Sequence, residues 1–405
     1  MQVGFNYPFS YNLYGYDIGP NPNVSHKQWL EERKLAETGN LKKIPLPPLF
    51  NHLDRNLRNL RKMKITIVRF LLANGWNFIG GLGPIRRSFV PSPNKLIYYN
   101  YRYSPPIEMD KRFSYHFELL LKKFHEMEMQ IIPSFIDYNW GGKTHFKDNL
   151  YAGGRSDCFN DTNERKKFLD GTLKKLLDIS RKYRNVIYAW EVINEPYWNC
   201  SGFGPLSEAK PDLKNFPGVE ESFVGIARNP EVEVFKMNEF LTEAINLINS
   251  YSFKSTVGHR FFKDIDFQPI GPPSNLPTFS SGSLPQFHYY GKHMFGLGDP
   301  PQIESENLFN HNPKPFLGEF DSALNRWGKP WPELIGNDTT LKRLELLKKE
   351  GCDLALIWPD YAPTNKNFKV DEAEQVEKYD HLKLTTETRK AIVDFTGGVL
   401  PPDDE

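Results

Sequence analysis

The stretch VIYAWEVINEPYW, from Val186 to Trp198, sets Glu191 and Glu195 four residues apart in an apolar run that stops at Pro196. A second apolar run, KPFLGEFDS from Lys314 to Ser322, carries Glu319 close to its end. A buried carboxylate is costly unless it is paired or hydrogen-bonded, so each of these groups needs a partner or a task. In a strand, alternate side chains share a face, so Glu191, Ile193 and Glu195 are expected to point one way and Trp190, Val192 and Asn194 the other. Parity does not separate Glu191 from Glu195, but depth does. At about 3.3 Å per residue, Glu195 reaches the carboxyl end of its strand while Glu191 stays lower, in a packed interior. Two glutamates at two strand ends facing one cleft suit glycoside hydrolysis, in which one carboxyl protonates the leaving oxygen and the other attacks or activates water.

The elements that must position these groups alternate along the chain. Short apolar runs read as strands at QVGFNY (from Gln2), TIVRFLL (from Thr66), QIIPSFI (from Gln130), VIYAWEVIN (from Val186), KSTVGH (from Lys254), PQFHYY (from Pro285), PFLGEF (from Pro315) and LALIWP (from Leu354). Amphipathic helical patterns lie between them. In the pattern from Glu164 to Tyr183, Phe168, Leu169, Leu173, Leu176 and Leu177 share one face, and others start near Phe50, Lys111, Val232, Asp338 and Thr385. Eight strands with intervening helices predict a single (β/α)8 barrel domain over residues 1–405. The long connections follow strands: Pro8 to Leu49, Ala73 to Asp110, Trp140 to Asn160, Pro196 to Pro230, and Tyr361 to Leu382. In a barrel they emerge at the C-terminal face, where active sites are built.

VINEP followed by FLGEF resembles the clan A glycoside hydrolases, and most closely the cellulase-like glycoside hydrolase family 5. In that family the acid/base follows an Asn on strand four and the nucleophile ends strand seven. The resemblance implies Glu195 as acid/base and Glu319 as nucleophile of a retaining β-glycosidase. Arg69 in IVRF matches the strand-two arginine, His288 and Tyr290 in FHYYG match a His-x-Tyr pair after strand six, and Trp358 in LIWPDY matches the strand-eight tryptophan beneath a sugar. Asn194 would bind the hydroxyl adjacent to the anomeric carbon. The chain departs from the family after strand three, where IDYN places Asn139 at a position often held by histidine; Asn139 can bond a sugar hydroxyl but carries no charge. Glu195 is expected to be held protonated and Glu319 ionised, with Arg69 and Tyr290 keeping the charge on Glu319. Trp76, Trp140 and Trp198 are further candidate sugar platforms.

Composition narrows the partners. Lys and Arg number 51 against 50 Asp and Glu, so no charge bias points to nucleic acid or an anionic membrane. No run of 18 or more apolar residues exists, and the N-terminus lacks a signal-peptide pattern, so the chain as given is expected in the cytoplasm, or outside the cell if an export signal was removed. Cys158, Cys200 and Cys352 have no C-x-x-C spacing and read as free thiols, with one pair left open. No metal cluster or phosphate loop is legible, so no cofactor is expected. The resemblance implies a polysaccharide or oligosaccharide as the partner, and the sequence leaves the oligomeric state open.

Each residue also has a structural reading. Arg69 could be a barrel-interior partner of Glu191, a role compatible with a site role. His288 could be a core histidine and a loop tryptophan could be packing. Hydrolysis of a polymer from within competes with exo action and with transglycosylation on the same residues. A catalytically silent carbohydrate-binding barrel would be expected to lack one of the two glutamates, and both are present.

Overall fold

The computed structural model of the chain describes residues 1–8, 18, 26–46, 49–73, 86–90, 98–102, 109–138, 140–141, 145–147, 150–152, 156–200, 232–259, 282–290, 308–310, 312–324, 331–334, 336–360, 382 and 384–401. Strand one is Gln2–Tyr7, strand two Ile67–Leu71, strand three Gln130–Ile136, strand four Trp190–Asn194 and strand five Ser255–Gly258. Strand six has two pieces, Ser283–Leu284 and Gln286–Tyr289, and is followed by strand seven, Phe316–Phe320, and strand eight, Leu354–Ile357. Each is hydrogen-bonded in parallel to its neighbours in chain order, and strand one pairs with strand eight.

Pro285 splits strand six because it has no N–H to donate. The piece before it pairs with strand five and the piece after it with strand seven. The His288 N–H reaches the His259 carbonyl at 2.9 Å, which closes the ring. The fold is the (β/α)8 barrel that the alternating pattern predicts.

Strands buried on both faces need apolar residues on both faces. Outward residues such as Val3, Phe5, Val68, Phe70 and Ile131 join the helices in the main core. Inward, Ile67, Ile132, Phe316, Leu354 and Leu356 form a separate apolar layer that plugs the lower barrel. Helix Leu49–Lys62 presents Leu49, Leu53, Leu57 and Leu60 to the core, and helix Lys111–Glu126 presents Phe113, Phe117, Leu120, Leu121 and Phe124. Asp110 caps the latter by accepting from the Arg112 N–H at 2.8 Å. Helices Val234–Ser250, Thr340–Lys349 and Thr386–Thr396 follow strands four, seven and eight.

Three local features depart from the sequence reading. Strand four starts at Trp190, because Arg181–Val186 forms a 3-10 turn and only Ile187 bridges to Ile131 before it. The helical pattern from Glu164 contains a wide π turn at Leu169–Leu173 between Thr162–Phe168 and Lys174–Ser180, yet all five residues assigned to its inner face are buried. The long connections hold structure of their own: helix His26–Glu37 after strand one, and the hairpins Arg86–Val90 with Tyr98–Arg102 and His145–Lys147 with Leu150–Ala152. Among the described residues no helix is long and apolar enough to cross a membrane.

Candidate active site

Above the apolar plug, the barrel interior is polar and centred on Arg69 of strand two, which is fully buried. All five of its donors are engaged. Nε and Nη2 bind the two oxygens of Glu191 at 2.6 and 2.7 Å. Nη1 reaches Asn6 at 2.9 Å and Glu319 at 2.6 Å, and Nη2 also reaches Asn194 at 2.7 Å. Glu191 accepts further from Ser134 at 2.5 Å and Gln286 at 2.7 Å. Burial opposes the charge on Arg69, but Glu191 and Glu319 more than offset it and raise its pKa. The four hydrogen bonds to Glu191 fill its acceptor capacity and anchor it as the counter-ion of Arg69.

Two glycines make room for this cluster. A Cβ on Gly258 would lie 3.2 Å from Arg69 Nη2, Asn194 Oδ1 and Glu191 Cδ. A Cβ on Gly318 would lie 2.2 Å from Gln286 Nε2.

Simple alternation fails on strand four. Glu191 and Asn194 have opposite parity, yet both face Arg69. The pairing with strand five shifts between them, which turns Asn194 inward. Beyond it, Glu195 has φ +45°, a left-handed conformation that costs a non-glycine residue about 1–3 kcal/mol. Its N–H is tied to the Gly258 carbonyl at 2.7 Å. A similar shift at the end of strand six sets His288 opposite Glu319.

These irregularities bring Glu195, Glu319 and His288 together. His288 Nδ1 lies 2.9 Å from Glu195 Oε1 and 3.5 Å from Glu319 Oε2. An oxygen of each glutamate and the ring nitrogen all fall within 4.8 Å of one another. The arrangement can pass a proton between Glu195 and His288 while Glu319 is held by other donors, and the same three atoms are spaced to ligate a divalent cation. The Tyr290 hydroxyl donates to Glu319 Oε2. Burial pushes the Glu319 carboxyl up from its ordinary value; His288, Arg69 and the Tyr290 hydrogen bond pull it down, and the charge of Glu195 adds to the rise. Burial and the adjacent Glu319 drive the Tyr290 phenol far above its ordinary range, so it stays a donor. His259, at the end of strand five, is brought down to about 3 by burial and the charge of His288, and stays neutral.

Glu195, Glu319, Arg69, Asn194, His288 and Tyr290 thus converge. Trp358 follows strand eight, half-buried, with its N–H on the Phe320 carbonyl at 2.7 Å, beside the strand end that carries Glu319. Asn139 and Trp76 lie outside the described residues, as does the side chain of Trp198. Trp140 is a correction to the platform reading: it is fully buried, stacked on Phe168 with ring centroids 5.3 Å apart, and its indole N–H binds the Ala73 carbonyl at 3.1 Å. Sequence reasoning missed Asn6, Ser134, Gln286 and Asp137. Asn194 Nδ2 donates to Asp137 Oδ1 at 2.8 Å. For Asn6, Ser134 and Gln286 the available signal was a polar residue at an inward position of a mostly buried strand, and Asp137 follows the end of strand three.

No family model matches the chain, and no curated protein is significantly similar to it. Solved structures are similar in fold. A β-mannanase from the blue mussel Mytilus edulis is 14% identical with a TM-score of 0.51, covering 100% of this chain and 94% of its own. A β-1,4-mannanase from the sea hare Aplysia kurodai is 13% identical with a TM-score of 0.53, covering 100% and 95%. A GH5 family lichenase from Caldicellulosiruptor sp. F32 is 12% identical with a TM-score of 0.51, covering 98% and 93%. Over nearly its whole length, the chain has the (β/α)8-barrel fold of these glycoside hydrolases.

Proposed function

We propose that the chain is one catalytic barrel domain, a clan A retaining β-glycoside hydrolase that cleaves a β-linked polysaccharide internally. Glu319 attacks the anomeric carbon while Glu195 gives its proton to the departing glycosidic oxygen and the C–O bond breaks. Water then attacks the glycosyl-enzyme, Glu195 takes its proton, and Glu319 leaves. Arg69 and the Tyr290 hydroxyl stabilise the charge on Glu319, Asn194 binds the hydroxyl next to the anomeric carbon, and Trp358 and Asn139 contact sugar.

The observation that carries this reading is the approach of one carboxylate oxygen of Glu195 and one of Glu319 to within 4.8 Å, at the ends of strands four and seven. Retaining enzymes hold their carboxyl groups about 5–5.5 Å apart, and inverting ones about 6.5–9.5 Å. The mannanase and lichenase folds support a β-linked hexose polymer as substrate. The test is a product-resolved screen of mannan, glucomannan, lichenan and carboxymethylcellulose, with NMR of the first-formed anomer. Oligosaccharides of mixed length released with β configuration are expected. An α-anomer product removes the nucleophilic role of Glu319, and a polymer set left intact removes the hydrolase reading.

A further inference from the structure

We propose that Asp137, just past strand three, is a positioning residue that fixes the amide of Asn194 and so aims its second N–H at the sugar hydroxyl next to the anomeric carbon. The inference rests on the hydrolase reading above. Asp137 is fully buried, one residue beyond Ile136. Its own N–H is tied to the Ala73 carbonyl at 3.1 Å. One oxygen, Oδ1, accepts both the Tyr138 N–H and Asn194 Nδ2, each at 2.8 Å. The acceptor is therefore held on its own loop before Asn194 meets it.

Asn194 is gripped at both ends. Its Oδ1 accepts from Arg69 Nη2 at 2.7 Å and its Nδ2 donates to Asp137 at 2.8 Å. A flipped amide would press its NH2 against a guanidinium and its oxygen against a carboxylate, and both contacts would be repulsive. Only one orientation survives. Nδ2 carries two hydrogens, and with Asp137 taking one the direction of the other is set by the amide plane. Arg69 alone would leave that plane free to turn about the single Oδ1 contact. Asn194 immediately precedes Glu195 and shares the Arg69 guanidinium with Glu319, so its amide belongs to the cluster that carries the reacting carboxyls. A contact to this hydroxyl strengthens as the transition state forms, so its geometry bears on kcat more than on KM.

The test uses the full chain with 2,4-dinitrophenyl β-cellobioside and β-mannobioside, each beside its analogue lacking the 2-hydroxyl on the sugar that carries the aryl group. Asp137→Leu is expected to lower kcat about 100-fold on the parent glycosides, with KM changed little, and to lower it less than threefold on the 2-deoxy analogues. Asp137→Asn keeps an acceptor oxygen and is expected to stay within about tenfold of the wild type on both. In an Asn194→Ala background Asp137→Leu should add less than threefold. If the leucine variant does not fold, Asp137→Ala, which also lacks an acceptor, takes its place with the same expectations. Equal losses on parent and 2-deoxy substrates, or a full additional loss in the Asn194→Ala background, overturn the inference and leave the hydrolase reading intact. A wild-type protein inert on all four glycosides and on the polysaccharide set overturns both.

Discussion

Arg69 and Glu191 form a two-point ion pair, at 2.6 and 2.7 Å, in which both side chains are completely buried. The same guanidinium holds Glu319 at 2.6 Å, so the lower glutamate neutralises the cation that the upper one uses. Removing one partner of a buried pair leaves an uncompensated charge, with a cost of about 3–5 kcal/mol. Glu191→Ala is therefore expected to lower unfolding free energy by that order and to slow all substrates alike. Denaturant unfolding and a leaving-group series check this.

Glu195→Ala should behave in the opposite way. Poor leaving groups need its proton and activated aryl glycosides do not, so the loss should be severe only for the former, and added azide should restore turnover by attacking the glycosyl-enzyme. Rates against leaving-group pKa, with and without azide, separate the two glutamates. Azide rescue in Glu191→Ala, with only a stability loss in Glu195→Ala, would reverse the assignment.

The pH profile should be a bell whose acidic limb follows Glu319. Burial raises that carboxyl, so the limb is expected above the ordinary glutamate value. The Tyr290 hydrogen bond pulls the other way and favours the ionised form. Tyr290→Phe should thus move the acidic limb further up, by about 1 pH unit, equivalent to about 1.4 kcal/mol. A limb that stays in place would make Tyr290 a packing residue.

Gly258→Ala puts a methyl group 3.2 Å from three atoms of the Arg69 cluster. The ion pair leaves those atoms nowhere to move, and overpacking of this kind costs about 1–3 kcal/mol. Both stability and kcat should fall. A substitution neutral in unfolding and turnover assays would show that the cluster is not rigid.

The architecture was legible because parallel barrel strands are continuous apolar runs between turn residues, and Leu49, Leu53, Leu57 and Leu60 spell out a helix face. Glu195 and Glu319 were legible because a carboxylate at the end of such a run stands out. What alternation could not supply was the inward turn of Asn194, which comes from a shifted register, or the +45° φ of Glu195. Neither leaves a periodic trace. Ser134 and Gln286 are polar residues on buried barrel strands, and the position of Glu191 across the barrel explains them. Trp140 showed the limit of composition: in sequence a loop tryptophan looks the same as a platform or as core.

The most direct measurement is covalent trapping. The 2,4-dinitrophenyl 2-deoxy-2-fluoro derivatives of β-cellobiose and β-mannose load the nucleophile quickly and release it slowly, so the intact protein gains the mass of one glycosyl group and peptide mapping locates it. The label is expected on Glu319, formed in the wild type and absent in Glu319→Gln. A label on Glu195 or Glu191, or turnover of the parent glycosides with inverted configuration and no label, would contradict it.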